Sequence, residues 1–412
     1  MNLLSETLRD VAFLKSTWLK WVVMAIMKIE LNMEKRIFGL DLLRTVAIFL
    51  VMRVHAKEHY ITPFFKASSS GFWYPDGVNL FFVLSGFLIG GIIIRDMSQQ
   101  RIDFPMIRKF WRFRWFRTLP NYYLVLLLVL IYMQVVFHST AGFDFSFFIF
   151  CQNLFTIHSD FFGVAWSLAV EEWFYLVYPL VLWGFSKAIP KAGFRNWMLL
   201  SILFMLAYPL IARVLNLLPH VLTMDYQAIL QEKKTPHFFR KIVFYRMDSI
   251  AFGILAAYVM HYHASIWHRV KYPALVIGTF LLFTKIQFLL FRKINMMIFY
   301  PYVEILGTCL ILPFLSSLRK APSFISVPIT HISMISYSLY LLHFSLILNV
   351  MVTFIDKPTN IREALFLHGL YYVISFVLAH LLYKYFEKPV MDLRSRQGSL
   401  WQAIRTGKPA KF

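Results

Sequence analysis

Residues 39–55 read GLDLLRTVAIFLVMRVH, an apolar run with Asp41, Arg44, Arg53 and His55 inside or bordering it. With its flanks the stretch is long enough for one membrane-spanning helix, which needs about 20 mostly apolar residues. A charged side chain at mid-bilayer costs about 2.5–3.5 kcal/mol on insertion scales, so each ionisable group here is a functional candidate. Arg44 and His55 are eleven residues apart, three helical turns, which puts them on one face about 16 Å apart along the axis. One end of that stripe reaches one membrane surface while the other approaches the far half of the bilayer. Asp41, three residues ahead of Arg44, is placed to pair with it. The purely structural alternative is a helix-end ion pair with an interfacial His.

The same apolar texture recurs along the chain. Of 412 residues 59% are hydrophobic and only 15% charged, whereas soluble domains are nearer half apolar and a quarter charged. We read about ten spans, roughly 40–57, 77–95, 119–137, 163–185, 197–215, 243–262, 272–291, 298–318, 331–355 and 363–386. The expected fold is an all-α, polytopic transmembrane helix bundle with both termini cytoplasmic. Residues 1–37 read as an amphipathic cytoplasmic extension, 38–390 as the membrane domain and 391–412 as a basic cytoplasmic tail. Glu6, Arg9, Asp10, Lys15 and Lys20 interrupt the first stretch, so it is not a clean signal peptide, and Met33 is an alternative start.

The formal net charge of +21 is spread over short Lys and Arg clusters between apolar runs. That pattern marks cytoplasmic loops facing anionic lipid or an anionic cosubstrate and argues against nucleic acid. Arg95, Arg101, Arg108 and Lys109 share the inner side with Lys187, Lys191, Arg195, Arg319 and Lys320. Lys233, Lys234, Arg240 and Lys241 are the exception, a basic group on the opposite side. Cys151 and Cys309 lack CxxC spacing, so neither a metal site nor a disulfide framework is expected.

Three further segments place polar groups in apolar surroundings. WSLAVEEWFYLVYP (166–179) sets Glu171 and Glu172 in an aromatic helix, where a carboxylate can hold a neutral imidazole as general base. The bland alternative is one Glu at the interface and one paired with Arg53. FYRMDSIAFG contributes Arg246 and Asp248, and ISYSLYLLHF contributes Tyr337, Ser338, Tyr340 and His343. In KFWRFRWFRTLP (109–120), Arg114 and Arg117 are one turn apart with Arg112 close by, a spacing that suits phosphate binding. Positive-inside anchoring accounts for the same arginines without a ligand. Pro120 is expected to open the third span.

Taken in order, these segments resemble the acyltransferase 3 family of integral membrane acyltransferases, over roughly residues 38–390. Arg44 and His55 fall where the family has Arg-x10-His. GVNLFFVLSGFLI (77–89), which contains Ser85, is similar to its second motif. FRWFRTLPNYY, WSLAVEEWFY, ISYSLYLLH and FEKPV are similar to its later motifs. Two positions depart from the pattern: Phe113 stands where a first arginine is usual, and Asn79 where Asp is frequent.

The resemblance implies an acyl-CoA cosubstrate, usually acetyl-CoA, entering from the cytoplasm and no metal. It implies a glycan or lipid-linked saccharide acceptor outside, such as lipopolysaccharide O-antigen, and a multi-pass location in a bacterial inner membrane. By it His55 is catalytic, Arg44 is needed for activity, and Glu171 orients His55 with Glu172 as a variable neighbour. Arg112, Arg114 and Arg117 would hold the donor phosphates. Asp41, Glu172, Ser85, Arg246, Asp248, Tyr340 and His343 are secondary candidates. The rival classes are a transporter that moves cargo without covalent chemistry and a structural membrane protein.

Overall fold

A computed structural model describes residues 36–64, 74–98, 102–156, 160–223, 239–284, 299 and 301–393. The expected N-terminal extension up to residue 35, the tail from residue 394, and Lys233 and Lys234 lie outside these residues. Among the described residues there is no strand. The main helices are α1 (Phe38–Tyr60), α2 (Gly77–Met97), α3 (Phe104–Phe137), α4 (Ala165–Ala188), α5 (Gly193–Thr223) and α6 (Asp248–Tyr262). They are followed by α7 (Lys271–Phe283), α8 (Tyr302–Ser317), α9 (Ser323–Leu342) and α10 (Ile361–Leu382). A π-turn, His343–Leu348, carries α9 on into Asn349–Phe354, and another, Tyr383–Glu387, prolongs α10.

Each expected span overlaps one of these helices, but among the described residues seven helical runs have the length and hydropathy to cross a membrane on their own. These are α2, α3, α4, Pro190–Asn216, Val243–Tyr262, Ser323–Phe354 and Ile361–Leu393. At 13 and 16 residues, α7 and α8 are shorter. α1 is 23 residues long but is interrupted by its ionisable groups.

The largest departure from the sequence reading is α3. The arginine-rich stretch is not a loop: the helix starts at Phe104, where Asp103 accepts a hydrogen bond from the Met106 amide and Pro105 occupies the first turn. Pro120 therefore lies inside the helix rather than opening it. At 34 residues α3 is about 51 Å long, against about 30 Å of hydrocarbon, so part of it projects beyond the apolar slab.

Helices approach closely where both present glycine. A Cβ placed on Gly253 of α6 would collide with the Val83 carbonyl and the Phe87 amide of α2, and one on Gly86 would collide with the Ile250 carbonyl. Gly278 and Gly307 bring α7 and α8 together in the same way. Small residues serve this purpose in membranes because lipid tails offer no hydrophobic drive for helix association.

Buried polar ties add the specificity. Arg213 of α5 pairs with Asp248 of α6 and donates to the Tyr302 hydroxyl of α8 at 2.5 Å, while Tyr302 donates to Asp248 at 2.7 Å. The Glu387 carboxylate accepts from Asn121 of α3 at 2.7 Å and from Ser338 of α9 at 2.6 Å. α1 is held to α9 by Thr45, which donates to the Ile329 carbonyl at 3.0 Å.

Three outcomes follow for stability in detergent. Gly253→Ala should cost about 1–3 kcal/mol by overpacking, read as a lowered thermal midpoint. Arg213→Met should destabilise more, by about 3–5 kcal/mol, because it leaves Asp248 buried without its cation, whereas Tyr302→Phe should cost about 1–2 kcal/mol.

Candidate active site

One face of α2 lines an elongated cavity of about 480 Å³. Val78, Phe81, Ser85, Leu88, Ile92 and Arg95 fall three or four residues apart and so share a single stripe. From Val78 to Arg95 the stripe covers about 25 Å of helix axis. α1 contributes Asp41 and Arg44, α3 contributes Arg114 and Arg117, α4 contributes Ser167, Glu171 and Tyr175, and α9 contributes Tyr340.

Charge collects at the end where α1 begins. The Asp41 carboxylate takes a two-pronged contact from Arg36 at 2.8 and 2.5 Å and a hydrogen bond from the Ser333 hydroxyl at 2.7 Å. Arg44, its expected partner, stands 3.9 Å away. Arg95 pairs with Asp96 beside it at 2.6 Å. Arg114 and Arg117 also line this end, within electrostatic range of Glu171 but with no carboxylate within 4 Å among the described residues, so arginines outnumber carboxylates in the lining.

Glu171 does not orient His55. It accepts a hydrogen bond from the Tyr175 hydroxyl at 2.8 Å and sits within electrostatic range of Arg114, Arg117 and Arg44. Because Tyr175 has one proton and gives it to Glu171, the 2.6 Å contact with Ser85 has Ser85 as donor. A chain Ser85–Tyr175–Glu171 therefore crosses the cavity wall, with the Arg114 guanidinium 5.1 Å from the Tyr175 ring centroid.

α3 also sorts its own arginines. Positions 110, 114, 117 and 121 follow helical spacing, and Phe110 and Asn121 are buried, so Arg114 and Arg117 belong to the inward face. Arg112 is about 200° round the helix from Arg114. It rests over Phe113, 5.8 Å from the ring centroid, and lies outside the cavity lining, against expectation.

The other end of the cavity is aromatic. Ser167 and Tyr340 share a hydrogen bond of 2.5 Å at its margin. The Tyr340 ring stands 5.7 Å from His343, and His343 stands 5.3 Å from His55. His55 is half-buried and lies outside the lining, beyond Tyr340 and His343, with the Phe344 ring also against it at 4.3 Å. The stripe expected on α1 thus starts inside the cavity at Arg44 and finishes just past it at His55.

The remaining candidates are braces. Glu172 is buried beside Thr118 and outside the lining. Arg246 donates to the Asn79 carbonyl oxygen at 2.5 Å and covers Phe82, while Asn79 donates to Glu304 at 2.5 Å. Asn79, left without a role by its sequence, is the bridge of that group. Sequence reasoning also passed over Arg36, Arg213, Glu304 and Glu387. Their signal was available, since Arg213, Glu304 and Glu387 are ionisable groups in apolar segments.

Comparison with known proteins adds the family. The chain is 28% identical over 391 residues to the peptidoglycan O-acetyltransferase OatA of Listeria monocytogenes, covering 87% of this chain and 56% of that protein. It is 29% identical over 161 residues to the O-acetyltransferase OatA of Staphylococcus aureus, 35% of this chain and 24% of that protein. The chain thus spans about half the length of the first relative and a quarter of the second. No solved structure matches it. A family model described as an acyltransferase domain, acyltransferase 3, covers residues 37–383, which contain the whole cavity apart from Arg36, and the chain belongs to that family.

Proposed function

We propose that this multi-pass acyltransferase takes an acyl group from acyl-CoA on the cytoplasmic side and delivers it to a glycan hydroxyl on the opposite side, with His55 as the reacting base. The observation that carries this reading is the polarity of the cavity: arginines in excess of carboxylates at one end, aromatic walls leading to a half-buried imidazole at the other. The excess of basic residues on loops at the arginine end supports placing that end in the cytoplasm.

Arg44, Arg114 and Arg117 suit the phosphates of the donor. Guanidinium groups bind phosphate oxygens through paired, charge-assisted contacts that strengthen away from water. The acyl-bearing arm then lies along the α2 stripe, whose middle is apolar at Phe81, Leu88 and Ile92. At the far end His55 removes the proton of the acceptor hydroxyl, the oxygen attacks the thioester carbon, and the C–S bond breaks to release the thiol, which recovers the proton. General-base catalysis of this kind contributes about 10²–10⁴-fold. Glu171 and Tyr175 hold the arginine side of the path rather than the histidine.

The acceptor is a surface glycan. The relatives named as peptidoglycan O-acetyltransferases favour an amino sugar hydroxyl over the lipopolysaccharide first expected, and acetyl as the group carried.

Purified protein in liposomes, given labelled acetyl-CoA and peptidoglycan fragments, should transfer the label to the glycan. His55→Ala should lower the turnover about 10³-fold with unchanged expression. Arg117→Gln should raise the KM for acetyl-CoA about 10- to 100-fold, the loss of one charge-assisted contact. Unaltered turnover in His55→Ala would overturn the assignment. Passage of unmodified glycan across the liposome without acetyl-CoA would favour transport instead.

A further inference from the structure

We infer that His343 is the positioning residue for His55: it accepts a hydrogen bond from the His55 ring at Nε2 and so decides which His55 nitrogen keeps a free lone pair. This rests on the proposed acyl transfer at His55.

His343 is fully buried and is the first residue of the π-turn in α9. Such turns interrupt regular helices mostly at functional places. Its Nδ1 lies 2.8 Å from the Tyr340 carbonyl oxygen and 3.1 Å from that of Leu339. Carbonyl oxygens only accept, so Nδ1 carries the hydrogen, and in the neutral ring Nε2 is then a bare acceptor. That Nε2 is buried with no hydrogen-bond partner among the described residues. Native proteins rarely leave a buried polar atom so, because it costs about 1–3 kcal/mol.

The group beside it is His55, with ring centroids 5.3 Å apart and planes at 49°. A modest turn of the half-buried His55 ring brings an N–H toward Nε2. Phe344, at 4.3 Å from the His55 ring, packs against it beside His343, and it fits because Gly163 leaves space for its edge. The charged and titratable groups among the described residues that act most strongly on His55 are His343, Arg240, Lys241 and His59, and none of them is a carboxylate. In hydrolases a carboxylate holds the catalytic imidazole in its working tautomer; here a neutral imidazole with a fixed Nδ1–H is set where that group would stand. When His55 takes the proton of the acceptor hydroxyl, the proton stays on His55, and His343 remains neutral as its acceptor.

Two substitutions separate this role from a merely structural one. Asn at 343 keeps a donor for the Tyr340 carbonyl but removes Nε2, whereas Gln places an amide oxygen near the Nε2 position and gives up the Nδ1 donor. In the acetyl-CoA and peptidoglycan-fragment assay, His343→Asn should lose about 100-fold in kcat with an unchanged KM for acetyl-CoA. His343→Gln should recover at least a tenth of the wild-type kcat. The reverse order, with Asn near wild type and Gln inactive, would show that only the Nδ1 tie matters and would overturn the inference.

A measurement on the wild-type ring does not depend on how the variants fold. Nitrogen-15 NMR of histidine-labelled protein should give an Nδ1–H tautomer for His343 whose Nε2 resonance moves in His55→Ala. An Nε2–H tautomer, or an Nε2 resonance indifferent to His55→Ala, would also overturn it. Absence of acetyl transfer by the wild-type protein would instead defeat the proposed function, and the NMR result would still judge the histidine pair.

Discussion

The cost of unpaired charge in an apolar medium governs this molecule. Many ionisable side chains that enter the bundle meet a counter-charge or a hydrogen-bond partner of matching geometry, as Arg213 meets Asp248, Arg246 the side-chain oxygen of Asn79, and Glu387 the amide of Asn121 and the hydroxyl of Ser338. Those closed groups tie α5, α6 and α8 together, and α3 to α9 and α10. The cavity is less evenly matched. Around the arginine end of the cavity Arg44, Arg114 and Arg117 share Glu171, and among the described residues Arg114 and Arg117 have no carboxylate within 4 Å. That excess of cation inside the bundle is what supports the proposed docking of an anionic donor.

The same reasoning explains what could be read from the amino-acid order and what could not. Arg44 and His55 were legible because both lie on one helix, where separation converts directly into distance and angle. Arg114 and Arg117 were legible as a pair, but their inward direction depends on α3 starting at Phe104, and the Asp-Phe-Pro start upstream of the arginines is easily taken for loop. Partners on different helices escaped. Chemistry and the resemblance matched Glu171 to His55, although it meets Tyr175 on its own helix and the arginines of α3. Spacing matched Asp41 to Arg44, and the two do pair at 3.9 Å, but Arg36 reaches the same carboxylate from the turn before α1 with better geometry. Which of several nearby opposite charges wins is decided by side-chain direction and helix tilt, and neither is a property of spacing alone.

α1 and α9 form the axis on which both ends of the site hang. At one end Asp41 and Ser333 join them, and at the other His55 meets His343 and Phe344. The π-turn in α9 begins at His343, so the helix changes pitch where it passes His55.

The glycine contact between α2 and α6 bears on more than packing. The stripe that lines the cavity runs along one side of α2, while Gly86 and Gly253 meet on its back. The bore of the passage is therefore set from behind, by how deeply α2 sinks into α6. On the proposed function, a substitution at this contact changes the girth of acyl chain that the passage admits without altering any residue that touches that chain.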